Sequence, residues 1–186
     1  MLVSATLLPT VAFAQETTAS NSKPTSDAAP LAFCSVEPVT FSSQALMPKG
    51  HVKVEANRTE IIQDTVALFS GNVDITSDTA VISASQAQIN GSGRDLIAKG
   101  DVTYQDSQLK VESDAVTLRS EEERLEMQNT RYQLTGFVGQ GAAKDIVLDT
   151  DTGIVLKEVS FTTCPEGDED WLIRASEISL EKGTVW

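Results

Sequence analysis

SGNVDITSDTAVISASQAQI, residues 70–89, and KGDVTYQDSQLKVESDAVTL, residues 99–118, are the two stretches that decide the fold. In both, apolar and polar residues alternate with a period of two, and Val, Ile, Thr and Tyr recur. This alternation is typical of half-buried antiparallel strands. The polar groups TSDT after Ile75 and QDSQ after Tyr104 are typical of turns. Each stretch is therefore predicted to form two strands joined by a turn.

The two stretches belong to an internal repeat. Gly71 and Gly100 lie 29 residues apart, and Ala56 and Ala84 lie 28 apart. Further matches at a spacing of 28 are Thr59, Ala87, Ala115 and Ala143. Such a unit holds two strands and two turns, and it buries its apolar face only by stacking on its neighbours. The next alanine of this series, Ala175, follows Ala143 by 32 residues instead of 28, because the segment CPEGDED is inserted between them. An ordinary β-sandwich with coincidental spacing is the alternative.

The chain is predicted to begin with export and linker segments. Residues 1–14, MLVSATLLPTVAFA, read as a signal peptide because an apolar run ends in a small-x-small pattern. The usual basic region is missing, since no Lys or Arg precedes Lys23. A transmembrane helix is the alternative, but it needs about 20 apolar residues. Residues 15–33 are rich in Ser, Thr, Ala and Pro and are predicted to be a flexible linker. Residues 34–186 are predicted to be one domain.

The net charge of the chain limits the classes of partner that it is expected to bind. The formal net charge is −13. Binding of nucleic acid by counterion release requires clustered Lys and Arg, so a nucleic-acid partner is not expected. Electrostatic attachment to anionic lipid headgroups is disfavoured for the same reason. A lipid ligand would have to be bound through apolar surface.

No pattern in the sequence predicts an enzyme, a cofactor or a metal. His51 is the single histidine, so a site of clustered histidine ligands is excluded and His51 is predicted to be a surface residue. GxSxG, HExxH, phosphate-binding glycine loops and EF-hand patterns do not occur. The acidic runs 121–123 and 168–170 lack the ligand spacing of a calcium loop and are predicted to be solvated charges.

Two cysteines, Cys34 and Cys164, are expected to form disulfides in an oxidising compartment. One internal bridge would close about 130 residues and stabilise the fold by roughly 4 to 5 kcal/mol in the loop-entropy model. In the other possibility, each cysteine pairs with a partner elsewhere. The sequence LAFC is not a lipobox, because Phe33 is too large for the position before a lipidated cysteine.

The repeats, with GNV or GDV followed by alternation and a closing alanine motif, resemble the OstA-type β-jellyroll of lipopolysaccharide-transport proteins. The stretch VSFTTCPEGDEDWLIRASEISL, residues 159–180, resembles more specifically the LptD family of outer-membrane lipopolysaccharide-assembly proteins, whose amino-terminal domain carries SFTxC, W and SEI in this order. The resemblance covers residues 34–186. It implies an all-β fold, an OstA-type β-jellyroll of repeated antiparallel strand pairs.

The resemblance also implies a function. The chain would be the periplasmic entry module of lipopolysaccharide transport, at the periplasmic face of the outer membrane, with acyl chains in an apolar groove. The residues expected to line this groove are Val54, Val73, Ile75, Val102, Tyr104, Val111, Leu118, Ile146 and Leu148. The alternative for each of them is that it is simply part of the packed core.

Expected partners are lipopolysaccharide, a periplasmic bridge jellyroll joined by edge-strand addition, and an outer-membrane β-barrel with its plug lipoprotein. In the family, the counterparts of Cys34 and Cys164 are bonded to a cysteine pair in a carboxy-terminal transmembrane β-barrel. The chain stops at Trp186 without such a barrel, so a fragment is expected. A stand-alone bridge protein and a structural surface module that binds no lipid are the alternatives.

Overall fold

Ten β-strands form one antiparallel sheet in the computed structural model, which describes residues 34–42, 47–62, 65–91, 95–167 and 170–181. The strands are β1 (Lys53–Glu55), β2 (Arg58–Ile62), β3 (Val66–Thr76), β4 (Val81–Asn90), β5 (Asp95–Gln105), β6 (Leu109–Arg119), β7 (Arg124–Leu134), β8 (Gln140–Asp149), β9 (Gly153–Phe161) and β10 (Ile173–Glu181). The predicted signal peptide and linker, residues 1–33, lie outside the described residues. Within the described ranges no helix is long and apolar enough to cross a membrane.

Strand order follows chain order. The short strands β1 and β2 both pair with β3, and every later strand pairs with its predecessor up to β10. Each of the later strand pairs from β3 to β10 corresponds to about one sequence repeat. The predicted all-β jellyroll of repeated strand pairs is confirmed. The sheet has two edges, formed by β1 with β2 and by β10, and no pairing joins these edges among the described residues.

Side chains of the predicted turns close the hairpins. The Ser77 hydroxyl accepts hydrogen bonds from the amides of Thr79 and Ala80 at 3.2 and 3.0 Å. Asp106 Oδ1 accepts from the amides of Gln108 and Leu109 at 2.7 and 2.8 Å. These local bonds hold the chain reversal that short polar residues favour. The turns predicted after Ile75 and Tyr104 are therefore present.

The strands bend in the middle of each repeat. Left-handed backbone angles occur at Asn72, Asp101, Asn129 and Glu158, with φ of 47°, 49°, 51° and 47°. These residues lie 29, 28 and 29 positions apart, so the bends recur with the sequence repeat. The pairing register also shifts beside the first two bends. Such irregularities bend a strand and increase its local twist.

The bends divide the sheet into two halves. We call one the aliphatic half; it comprises residues 58–62, 66–70, 86–90, 95–99, 115–119, 124–128, 145–149, 153–157 and 177–181. We call the other the hydroxyl half; it comprises residues 53–55, 73–76, 81–84, 102–105, 109–113, 130–134, 140–143, 159–161 and 173–175. Inward side chains of both halves belong to a single hydrophobic cluster. The core therefore lies between the halves.

An amino-terminal segment crosses the end of the hydroxyl half. The Val36 amide donates to the Thr163 carbonyl at 2.8 Å, and the Gly136 amide donates to the Val39 carbonyl at 2.8 Å. The Gln105 side chain also donates to the Thr40 carbonyl at 3.0 Å. Residues 34–40 thus bridge β5, the β7–β8 turn and the β9–β10 loop. We call this segment the end strap.

Candidate functional site

The nine residues predicted to line a groove all belong to the interior cluster. Buried positions are Val73, Ile75, Val102, Tyr104, Val111 and Ile146. Partly buried positions packed against them are Val54, Leu118 and Leu148. Their interior location agrees with the period-two alternation. Contact with a lipid stays a prediction for each of them.

A continuous row of apolar side chains crosses the aliphatic half from edge to edge. We call it the aliphatic row; its successive cross-strand neighbours are Ile61, Ala67, Ile89, Leu96, Leu118, Leu125, Leu148, Ile154 and Leu180. In its middle, Leu96 and Leu125 are 6% and 8% exposed. At its two ends, Ile61 and Leu180 are 68% and 56% exposed. The apolar interior therefore reaches solvent along both sheet edges.

A second inward row lies closer to the bends. It runs through Thr59, Phe69, Ala87, Ala98, Val116, Met127, Ile146, Leu156 and Ile178. Met127 and Ile146 are completely buried in it. Together the two rows form an aliphatic wall with no charged side chain. Such a surface suits hydrocarbon chains, which associate without directional contacts.

The hydroxyl half mixes apolar side chains with hydrogen-bonded hydroxyls. Tyr104 donates to Asp106 at 2.6 Å, Tyr132 donates to the Ser160 carbonyl at 2.8 Å, and Thr130 donates to the Ala143 carbonyl at 2.8 Å. Burial raises the pKa of Tyr132 to about 12. Burial, with the neighbouring Asp106 carboxylate, raises the pKa of Tyr104 further. These hydroxyls stay protonated at neutral pH, and their bonds fix this end of the interior.

A disulfide fastens the end strap beside the hydroxyl half. Cys34 and Cys164 are bonded to each other, with Cα atoms 4.6 Å apart. Cys164 is fully buried, and the rings of Phe161 and Trp171 pack against each other with centroids 5.8 Å apart. Of the two pairings left open by the sequence, the structure has the internal bridge. Pairing with cysteines of a barrel stays an expectation from the family resemblance.

The described side chains offer no arrangement for metal chemistry. Cys34, Cys164 and Asp170 place potential ligand atoms within 4.8 Å of one another, but the two sulfur atoms are consumed by the disulfide. His51 is exposed, and its ring contacts the Lys49 carbonyl at 3.2 Å. A thiolate or a second imidazole would be required for a typical zinc site.

Several residues of the aliphatic wall were not among the residues predicted to line the groove. They include Leu96, Leu125, Met127 and Leu156 in the aliphatic wall, and Ile61 and Leu180 at its ends. The sequence repeat could have identified some of them as inward residues, because Leu96 and Leu125 lie 29 residues apart and therefore occupy equivalent positions in successive repeats. Ile61 and Leu180 had no such signal, since the exposure of a residue at a sheet edge depends on how the strands are ordered in the sheet.

The family model and the similar curated proteins agree on one family. The model of the family described as "LptA/(LptD N-terminal domain) LPS transport protein" matches residues 53–185. The LPS-assembly protein LptD of Pseudoalteromonas atlantica is 40% identical over 148 residues, which cover 80% of this chain and 20% of that protein. LptD of Nitrosococcus oceani is 31% identical over 153 residues, covering 81% and 21%. The chain spans about a fifth of the length of these curated relatives.

A solved structure is also similar. It is LptH, described as the LptA-homologous periplasmic component of the lipopolysaccharide transport device of Pseudomonas aeruginosa. The match has a TM-score of 0.47 and 16% sequence identity, and it covers 54% of this chain and 76% of that chain.

Proposed function

Because the chain belongs to the family of LptA and LptD amino-terminal-domain lipopolysaccharide-transport proteins, we propose that it is an entry module that receives lipopolysaccharide for outer-membrane assembly. The acyl chains lie against the aliphatic wall, and the sugars and phosphates stay outside the apolar interior. The chain acts as a conduit and performs no reaction of its own. This assigns the acyl chains to apolar contacts, in keeping with a net charge of −13, which disfavours attachment to a lipid by overall charge attraction.

The observation that carries this proposal is the aliphatic row. It is buried in the middle and exposed at Ile61 and Leu180, so an apolar chain can enter from the side without crossing a hydrogen-bonded strand. Burying an aliphatic side chain contributes roughly 25 cal/mol per Å² of apolar surface, so the exposed ends favour a hydrocarbon ligand.

The two halves support different roles. Apart from Thr59 at one end, the aliphatic wall has no hydrogen-bonding side chain, and it tolerates acyl chains of varied shape. The hydroxyl half is held by its own hydrogen bonds and closed by the end strap. We therefore place acyl chains in the aliphatic half and assign the hydroxyl half a structural role. Leu118 and Leu148 are then lipid contacts, whereas Val73, Val102 and Val111 are core.

The sheet edges are the proposed partner surfaces. β10 pairs with β9 alone among the described strands, and β1 and β2 pair only with β3. Unpaired edges offer backbone groups to another strand. We propose that a periplasmic bridge jellyroll adds to one edge. An outer-membrane β-barrel with its plug lipoprotein would receive the lipid from the other, at the periplasmic face of the outer membrane.

Photocrosslinking tests the acyl-chain assignment. A photoreactive residue at Leu118 or Leu148 should give an adduct with purified lipopolysaccharide. One at Lys99, which is exposed on the opposite face of the sheet, is the matched control and should give none. An adduct at Val102 but not at Leu118 would reverse the assignment of the halves. If neither interior position reacts, the chain is a structural β-repeat module and the transport proposal is wrong.

A further inference from the structure

Two arginines face each other across a depression on the outer face of the sheet. Arg131 on β7 and Arg174 on β10 are in one cross-strand row with Ala142 on β8 and Ser160 on β9 between them. With strands about 4.8 Å apart, the arginine Cα atoms are separated by roughly 14 Å. Because Ala142 and Ser160 are small, the space above them is open to both guanidinium groups.

The depression has the size of a ligand site. These four residues line two adjoining cavities of about 610 and 380 Å³. Lys144 and Glu158 lie at one side, and Lys110 and Glu112 lie at the other. Small-molecule sites commonly occupy about 300 to 1,000 Å³. We call this region the arginine cleft.

The charge balance in the arginine cleft differs from that of the whole chain. Its cations are Lys110, Arg131, Lys144 and Arg174, and its carboxylates are Glu112, Glu158 and Glu166. Lys144 is bonded to Glu158 at 2.7 Å, and Arg131 contacts Glu166 at 3.6 Å. Arg174 and Lys110 make no ion pair with any described residue. In a chain of net charge −13, a local surplus of unpaired cations points to an anionic ligand.

We propose that Arg131 and Arg174 bind a phosphate group of a phosphorylated saccharide. Two guanidinium groups supply planar, paired donors that match phosphate oxygens. Asn129 and Ser176 line the same cavity and supply neutral hydrogen-bonding groups for sugar hydroxyls. The proposal of an anion site rests on these residues and does not depend on the proposed function. Its identification with the polar end of lipopolysaccharide rests on the proposed function.

The position of the arginine cleft suits a ligand that straddles the β10 edge. Arg174 is on the outer face, and Ile178 is an inward residue of the same strand. The two lie four residues apart, which is roughly 13 Å along a strand. A molecule lying over this edge can therefore keep its acyl chains inside and a phosphate outside. The β10 edge is the one at which the polar end of the ligand is fixed.

Binding of water-soluble probes to the full chain tests the site. A deacylated, phosphorylated glucosamine disaccharide is titrated calorimetrically against the wild type, the double variant Arg131→Gln/Arg174→Gln, and the control Lys99→Gln/Lys157→Gln. The control removes the same charge from exposed lysines outside the arginine cleft. We expect affinity to fall at least about tenfold in the arginine variant and to change less than about twofold in the control. Thermal unfolding of each variant checks that the fold is kept.

Three results would overturn the proposal. One is equal loss of affinity in the arginine and lysine variants, which would mean a general charge effect. Another is undiminished binding of the dephosphorylated disaccharide. The third is equal affinity for inorganic phosphate, which would remove the saccharide from the site. Because the probes lack acyl chains, these results are independent of crosslinking at Leu118, so failure of the acyl-chain proposal would be seen separately.

Discussion

The Tyr132 hydroxyl on β7 donates a hydrogen bond to the Ser160 carbonyl on β9 across 2.8 Å, although β8 lies between these strands. Gly141 of β8 allows this bond. A Cβ at Gly141 would overlap the Ser160 carbonyl and lie 2.9 Å from the Tyr132 hydroxyl. The Ser160 hydroxyl in turn accepts a hydrogen bond from the Ala142 amide at 3.1 Å. Three strands are thus tied together at one point next to the arginine cleft.

Substitution Gly141→Ala should destabilise the chain by about 3 kcal/mol, the upper end of the cost of overpacking, because backbone atoms of β9 have to move. Urea unfolding followed by tryptophan fluorescence measures the change. Ala142→Ser, on the neighbouring exposed position, is the control and should stay within about 0.5 kcal/mol of the wild type. Equal stability of Gly141→Ala and the wild type would show that β8 and β9 are farther apart than described.

Alkaline pH should weaken the fold through its buried tyrosines. Burial raises the pKa of Tyr132 from the ordinary value of 10.0 to about 12. Below pH 10 both the folded and the unfolded chain keep this proton, and the stabilisation is complete. As the pH rises from about 10 to about 12, the unfolded chain loses the proton first, so the free energy of unfolding falls.

Tyr132→Phe should lower the free energy of unfolding by about 1 kcal/mol at neutral pH, because the bond to Ser160 is lost. It should also reduce the decline of stability above pH 10, leaving the part due to Tyr104. Urea titrations at neutral and alkaline pH measure both effects. Identical pH dependence in the variant and the wild type would contradict the buried position of the Tyr132 hydroxyl.

Loss of the disulfide should cost up to about 5 kcal/mol in the loop-entropy model, since the bridge closes a long loop. The sequence separation of Cys34 and Cys164 is 130 residues. The double variant Cys34→Ala/Cys164→Ala and the reduced wild type should unfold at similar, lower urea concentrations. Non-reducing peptide mapping verifies the pairing. Coincident unfolding of oxidised and reduced chains would argue against a structural role for the bridge.

The exposed ends of the aliphatic row should matter for binding more than for stability. Ile61→Asn and Leu180→Asn should each change the free energy of unfolding by less than about 0.5 kcal/mol. Each should weaken binding of fluorescent lipopolysaccharide roughly fivefold, through lost apolar contact. Phe137→Asn is the matched control, because Phe137 is 72% exposed on the β7–β8 turn and lies outside the row. Equal effects of all three variants would mean that binding is not localised at the sheet edges.

Much of the fold was predictable because its signals are local. The Ser77 and Asp106 turns are built from residues within three positions, and the inward residues of each half-strand alternate. The bends were not predictable from alternation. Met127 and Thr130 both face inward although they lie three residues apart, which a period of two assigns to opposite faces. The left-handed angle at Asn129 between them causes the change.

The site was predictable only in part, because its remaining features join distant residues. The arginine cleft brings Arg131 and Arg174 together across two intervening strands, and their charges look unremarkable in sequence. Gly141 likewise has no motif around it, and its importance comes from the close approach of Ser160. The internal pairing of Cys34 could not be chosen from spacing, since the position of the end strap depends on backbone bonds such as that between Val36 and Thr163.

The linear strand order has a consequence for folding kinetics. Because each strand from β3 to β10 pairs with the one made just before it, a chain emerging amino terminus first can add these strands one at a time, as in repeat proteins with nearest-neighbour energetics. Among the described residues, the sequence separation is small within each strand pair and large between the end strap and the strands that it contacts. Cys164, the partner of Cys34 in the structure, follows β9 in the chain. The internal bridge can therefore form only after β1 to β9 have been synthesised, which makes it a late covalent step.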